Sequence, residues 1–152
     1  APHRISSRTP ASSATAGAPL TFRALSGNPV AQEIWDSSLW NMAHLDLTDK
    51  ADLFIIAPAS ASTIARLAAG LADDMVSAAA LAVKSKVMIA PAMHQEMWLH
   101  PATSANVARL KNFKYIFIGP EKGPLAQGGA GWGRMSEPAQ IVVSAKKILS
   151  RV

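Results

Sequence analysis

The sequence predicts an α/β fold with a mainly parallel sheet, and two observations carry that prediction. Short, continuous apolar runs recur at 51–58, 87–90 and 115–118, the pattern of strands buried on both faces. Between and after them lie segments whose apolar residues fall at helical spacing, so strand and helix alternate as in βαβ units. A chain of 152 residues fits one domain able to bury about two-thirds of its extended-chain surface.

Residues 1–18 form an N-terminal segment rich in Ser, Ala, Thr and Pro, with the composition of a flexible arm, and residues 19–152 form the domain. Leu20 to Gly27 reads as a short helix stopped by Gly27-Asn28-Pro29. An apolar-polar piece follows through Val30, Ile34 and Trp35. Ala51 to Pro58 reads as a fully buried strand, and Ile64 to Leu71 as the helix after it. Asp73-Asp74 stands ahead of a second helix from Met75 to Val83, where carboxylates suit the positive end of the helix. Strand Val87–Ala90 runs into Pro91, and Pro101 to Leu110 is a helix with Pro in its first turn. Tyr115 to Pro120 is another short buried strand, Glu121 to Glu137 a Gly-rich loop, and Ile141 to Val152 a final amphipathic helix.

Composition removes several function classes. Hydrophobic residues make up 49 % and charged residues 16 %, as in a soluble globular protein. The net charge is +5, but the Lys and Arg are scattered with no run interleaved with aromatics, so the expectation is no nucleic acid. A phosphorylated small molecule suits the charge better. There is no cysteine, which excludes disulfides, thiolate zinc sites and Cys nucleophiles. The expectation is also no membrane and a cytoplasmic location, for no apolar run reaches the ~18–20 residues of a bilayer span and the N-terminus lacks the order of a secretory signal. The four histidines show no metal-ligand spacing, so no metal is expected. Gly128-Gly129-Ala130-Gly131 lacks the strand–GxGxxG–helix context of a dinucleotide site.

Four segments carry chemistry. Pro91-Ala92-Met93-His94-Gln95-Glu96-Met97-Trp98 lies at the carboxyl end of a strand, where open α/β sheets bind ligands. Its Met and Trp offer an adaptable apolar wall and its His a titratable donor and acceptor, a mix that suits a conjugated ring or a sulfur-bearing substrate. The alternative is a Pro-broken connection whose Met and Trp cap the core. Ala57 to Thr63 places hydroxyls and backbone N–H groups at a helix start, either a phosphate site or plain N-capping by Ser60 or Ser62. His44, in Asn41 to Leu47, is either a general base or a surface or capping His. The loop from Gly119 to Pro138 is either a lid with Arg134 as an anion clamp or a long surface loop.

Taken in order, these segments resemble the flavin-containing cysteine decarboxylases, most nearly the phosphopantothenoylcysteine branch. That branch is often the N-terminal half of a bifunctional coenzyme A biosynthesis flavoprotein. Pro19 to Val30 is similar to the stretch after that family's second strand, and Met42 to Leu47 to the region of its catalytic His. Ala57 to Thr63 resembles its PASANT motif, and Gly70 to Asp74 the link that follows. Pro91 to Trp98 resembles PxMNxxMW, and Gly133-Arg134-Met135-Ser136-Glu137-Pro138 the end of its substrate flap.

The resemblance implies a flavodoxin-like, three-layer fold that binds FMN, a phosphorylated small-molecule substrate and a homo-oligomer of trimers that often form dodecamers. It also implies that the flavin oxidises the substrate's thiol end to a thioaldehyde, an electron sink for loss of the neighbouring carboxylate. In this sequence it makes His44 the base or proton shuttle and adds His94 as a second catalytic residue. Thr9, Ser60, Ser62, Thr63 and Met93 are the implied FMN contacts. His94, Met97, Gln127, Arg134 and Met135 are the implied substrate contacts.

The sequence departs from the family pattern in four places. The family's first strand and its phosphate loop have no counterpart, and Arg8 to Ala11 resembles the end of the second strand. Ser62 stands for the PASANT Asn, and His94 for the Asn of PxMN. Gln127 stands for the flap Cys, and its amide is far too weak an acid to replace a thiol, leaving another acid such as His94 to serve. Two alternative functions follow: an FMN-binding regulatory protein without catalysis, or a peptidyl-cysteine decarboxylase that releases an enethiol and needs no flap Cys.

Overall fold

The computed structural model describes residues 18–28, 30, 48, 51–124 and 130–150. The expected first helix is α1 (Ala18–Ser26), closed by Gly27 at φ 65° and by the Asn28 amide donating to Ser26 Oγ at 3.2 Å. The elements that follow are β1 (Leu53–Ala59), α2 (Ala61–Ala69), α3 (Met75–Ala82) and β2 (Lys86–Pro91). After them come α4 (Gln95–Leu99), α5 (Pro101–Asn112), β3 (Ile116–Phe117), β4 (Glu121–Pro124), β5 (Ala130–Arg134) and α6 (Pro138–Leu149).

Strands β1, β2 and β3 pair in that order, all parallel, with Phe54 opposite Val87, Ile56 opposite Ile89 and Met88 opposite Ile116. Successive side chains of a strand point to opposite faces, and β2 uses both. Val87 and Ile89 join Ile64, Leu67, Val107 and Leu110 in one apolar cluster, beneath α2 and α5, which pack side by side. Met88 and Ala90 join Ile141 and Ala145 of α6 on the opposite face. The result is the expected three-layer arrangement with β2 at its centre.

Helix ends follow the sequence signals. Ser60 caps α2, and Gly70 closes it at φ 71° while the Leu71 amide reaches back to the Arg66 carbonyl at 3.0 Å. Asp74 and Ser77 form a capping box on α3: the Ser77 amide donates to Asp74 Oδ1 at 2.8 Å and the Asp74 amide to Ser77 Oγ at 3.3 Å. Arg66 reaches both Asp73 and Asp74, at 3.3 and 3.5 Å, and ties the α2–α3 link.

Three expectations change. The run 51–58 implied a fully buried strand, whereas in β1 only Ile56 and Ala59 are buried and Ala57 and Pro58 are exposed. Among the described residues β1 pairs with β2 alone, and its register breaks between Ile56 and Ala59 around Pro58, which has no N–H to give. The strand expected over 115–120 shortens to Ile116–Phe117, because Gly119 turns the chain at φ 74° before Pro120. The Gly-rich loop over 121–137 is instead an antiparallel hairpin, β4–β5. Along β5 burial alternates, with Gly131 and Gly133 inward and Trp132 and Arg134 outward. The two-residue period was carried by residues without side chains, and hydrophobic patterning does not register it.

Candidate functional site

The carboxyl edge of the sheet brings three of the chemistry-bearing segments together. Leaving β1, the chain turns at Ser60 into α2. Ser60 Oγ accepts from the Thr63 amide at 3.2 Å and lies 3.1 Å from Thr63 Oγ1, so two hydroxyls sit at the helix start. Of the two expected readings of this segment, the N-cap by Ser60 is the one these bonds form. Ser62, between Ser60 and Thr63 in the first turn, is exposed.

Leaving β2, the Ala92 amide donates to the Ala59 carbonyl at 2.9 Å, which sets the two turns edge to edge. Met93 is half-buried against the first core cluster, as is Trp98 from α4, while Met97 points outward at 49 % exposure. His94 caps α4, its Nδ1 accepting from the Glu96 amide at 3.3 Å. His100 caps α5 in the same way, its Nδ1 accepting from the Ala102 amide at 3.2 Å. A ring nitrogen that accepts carries no proton, so each of these imidazoles in its neutral form holds its proton on Nε2.

The hairpin completes the edge. The Met93 amide donates to the Gly133 carbonyl at 3.0 Å, and α4 lies against β5 as well as α5. Arg134, expected as an anion clamp, is exposed and ion-paired with Glu137. Met135, expected at the substrate, is half-buried against the second core cluster with Met88 and Ile141. His44, Thr9 and Gln127 lie outside the described residues. Sequence reasoning missed Gln95, whose Oε1 accepts from the Trp132 amide at 2.9 Å, and it missed the role of Gly133. The alternation Gly131-Trp132-Gly133-Arg134 was the signal that could have found the latter.

Titration adds little at this edge. Burial raises the Tyr115 hydroxyl above its ordinary 10.0, and that group donates to the Ala80 carbonyl at 3.4 Å, where it braces β3 against α3. Among the described residues no group of three or more His, Cys, Asp or Glu could hold a metal ion, and no helix is long and apolar enough to cross a membrane.

Residues 5–150 match the flavoprotein family. The chain belongs to that family. This flavoprotein is 43 % identical over 131 residues to the coenzyme A biosynthesis bifunctional protein CoaBC of Mycobacterium tuberculosis, covering 86 % of the chain and 31 % of that relative. It is 45 % identical over 130 residues to CoaBC of Bacillus subtilis, covering 85 % of the chain and 32 % of the relative. The chain thus spans about a third of the length of these curated relatives. Among solved structures, a PPC decarboxylase mutant complexed with pantothenoylaminoethenethiol matches with a TM-score of 0.74 at 31 % identity, over 80 % of the flavoprotein and 71 % of that chain. The FMN-binding protein AtHal3 matches with a TM-score of 0.73 at 30 % identity, over 88 % and 78 %. The flavoprotein's α/β fold is the flavodoxin-like one of these neighbours.

Proposed function

We propose that this flavoprotein is an FMN-dependent carboxy-lyase that decarboxylates phosphopantothenoylcysteine on the way to coenzyme A, with the carboxyl edge of β1 and β2 as its site. The observation that carries this reading is the 2.9 Å bond from the Ala92 amide to the Ala59 carbonyl. It sets the turn that carries the Ser60–Thr63 hydroxyls next to the turn that carries Met93 and His94. The relatives support it: two are named for coenzyme A biosynthesis, and the matching structures include a PPC decarboxylase and an FMN-binding protein.

The residues present fit FMN. Hydroxyls and backbone amide groups at the start of α2 suit its phosphate and ribityl oxygens, and the thioether of Met93, which like Trp98 packs against the first core cluster, suits an apolar ring. When bound, FMN supplies the two-electron oxidation that makes loss of the neighbouring carboxylate feasible.

His94 then acts on the substrate carboxylate. With Nδ1 accepting from the Glu96 amide, the neutral imidazole carries its proton on Nε2 and is a neutral N–H donor, as the Asn amide of the family motif is. A neutral donor orients the carboxylate without the strong charge pairing of an imidazolium. That matters because the carboxylate loses its charge as CO₂ departs, and binding it tightly in the ground state would raise the barrier. A neutral imidazole N–H is a poor acid, so His94 in this form orients the substrate rather than replacing the flap thiol. His44 remains the proposed base, Met97 and Arg134 proposed outer contacts of the substrate, and a homo-oligomer part of the same reading.

Anaerobic mixing of FMN-loaded protein with phosphopantothenoylcysteine tests the reaction. Release of CO₂ is expected, and its absence from protein carrying bound FMN would overturn the proposal. Product mass then reads the place of Gln127: loss of CO₂ alone means the enethiol is reduced, while loss of CO₂ and two hydrogens means that it is released. Light scattering of the same sample gives the assembly size.

A further inference from the structure

Strand β5 reaches the turn after β2 through two hydrogen bonds that belong neither to the sheet nor to the hairpin. The Trp132 amide donates to Gln95 Oε1 at 2.9 Å, and the Met93 amide donates to the Gly133 carbonyl at 3.0 Å. The hairpin register explains why these groups are available. Pro124 pairs with Ala130, Gly123 with Gly131 and Lys122 with Trp132, but Glu121 pairs with Arg134, which leaves Gly133 as an extra residue on β5. A bulge of this kind turns backbone groups away from the ladder. Gly133 takes φ 130°, and a Cβ built on it would overlap the Met93 carbonyl oxygen and lie 3.5 Å from the Gln95 amide nitrogen. Backbone therefore rests on backbone, and the Gln95 side chain bridges the contact.

Gln95 is the first residue of α4 and directly follows His94. The His94 ring accepts from the Glu96 amide in that same first turn. We propose that Gln95 is a positioning residue: by accepting the Trp132 amide it fixes the Met93–His94 turn against β5 and so sets where the His94 imidazole meets the substrate carboxylate. The inference rests on the decarboxylase reading above. What the position requires is an acceptor oxygen at the end of a three-atom side chain, which Glu retains and Leu lacks. A contact that orients a carboxylate about to lose its charge acts on substrate binding, so its loss appears in KM more than in kcat.

The test compares Gln95→Leu and Gln95→Glu in the FMN-loaded full chain. Gln95→Leu is expected to raise KM for phosphopantothenoylcysteine roughly 2- to 12-fold, the span that one net hydrogen bond corresponds to, with a smaller change in kcat and the flavin absorbance retained. Hydrogen exchange at the Trp132 amide accelerates in Gln95→Leu, and Gln95→Glu restores both the KM and the slow exchange. Unchanged KM in Gln95→Leu, or equal losses in the two variants, overturns the positioning role while the parent protein still releases CO₂. Parent protein that carries FMN and releases no CO₂ overturns the decarboxylase reading, and the positioning role with it.

Discussion

Gly133→Ala puts the docking of the hairpin on the site turn under the most direct strain. At φ 130° an L residue occupies a sparsely populated region, and the new methyl meets the Met93 carbonyl oxygen, with the carbonyl carbon behind it at 3.2 Å. Neither neighbour is the flexible end of a side chain, so β5 has to lift. Backbone strain of about 1–3 kcal/mol adds to the loss of the Met93–Gly133 bond and disturbance of the Trp132–Gln95 bond at about 0.5–1.5 kcal/mol each, for a sum of about 2–6 kcal/mol. That is a large part of the ~5–15 kcal/mol that holds a domain folded. Gly70→Ala is the control, because Gly70 also has a positive φ, 71° in the left-handed helical region, but no atom within 4 Å of a Cβ. It should cost only the left-handed penalty of about 1–2 kcal/mol. Urea titration of the three proteins with a shared slope gives the differences, and hydrogen exchange at the Met93 amide reports whether the hairpin has lifted. Gly133→Ala that is no less stable than Gly70→Ala, with the Met93 amide still protected, would refute the argument.

Other substitutions probe separate links. Asp74→Ala removes the acceptor for the Ser77 amide and should destabilise the protein by about 1 kcal/mol in the same titration. His94→Asn keeps a neutral donor and should retain most of kcat/KM, whereas His94→Ala should lose roughly ten- to a hundredfold, a charge-assisted hydrogen bond's worth, in a CO₂-release assay. Burial raises Tyr115 above 10.0, so the folded state holds that proton more tightly than the unfolded chain. Its stability is therefore intact below pH 10 and falls as pH rises past it, and Tyr115→Phe should flatten that alkaline slope.

The strands and helices most legible in the sequence were those whose side chains announce a period. Val87 to Ala90 forms β2 as its apolar run implies, and Asp74 ahead of Met75 caps α3 as its carboxylate implies. The helices expected over 64–71 and 101–110 form over 61–69 and 101–112: the Ser60 cap starts the first three residues earlier, Gly70 ends it two earlier, and the second starts at Pro101 as its sequence implies. The hairpin was illegible for a physical reason: β5 packs through Gly131 and Gly133, and what specifies it is the absence of side chains where backbone approaches backbone. At the site, residue types pointed to Ser60, Thr63, Met93 and His94, which the fold brings to one edge. Gln95 was invisible because an amide side chain on a short helix has many possible partners, and only the tertiary fold selects the Trp132 amide. The partners of Arg134 and Met135 were equally invisible in their motif: Arg134 pairs with Glu137, and Met135 packs half-buried against the second core cluster.

The split of the core across β2 carries a consequence for change. Met88 and Ile89 are adjacent along the chain yet belong to apolar clusters on opposite sides of the sheet. Substitutions at the two should couple less strongly than substitutions at Ile89 and Ile64, which share a cluster. The α6 side can therefore be repacked, or drift in descendants, without disturbing the face on which α2 presents its hydroxyls. Strand β2 works as a partition that lets one half of the protein evolve while the other keeps its chemistry.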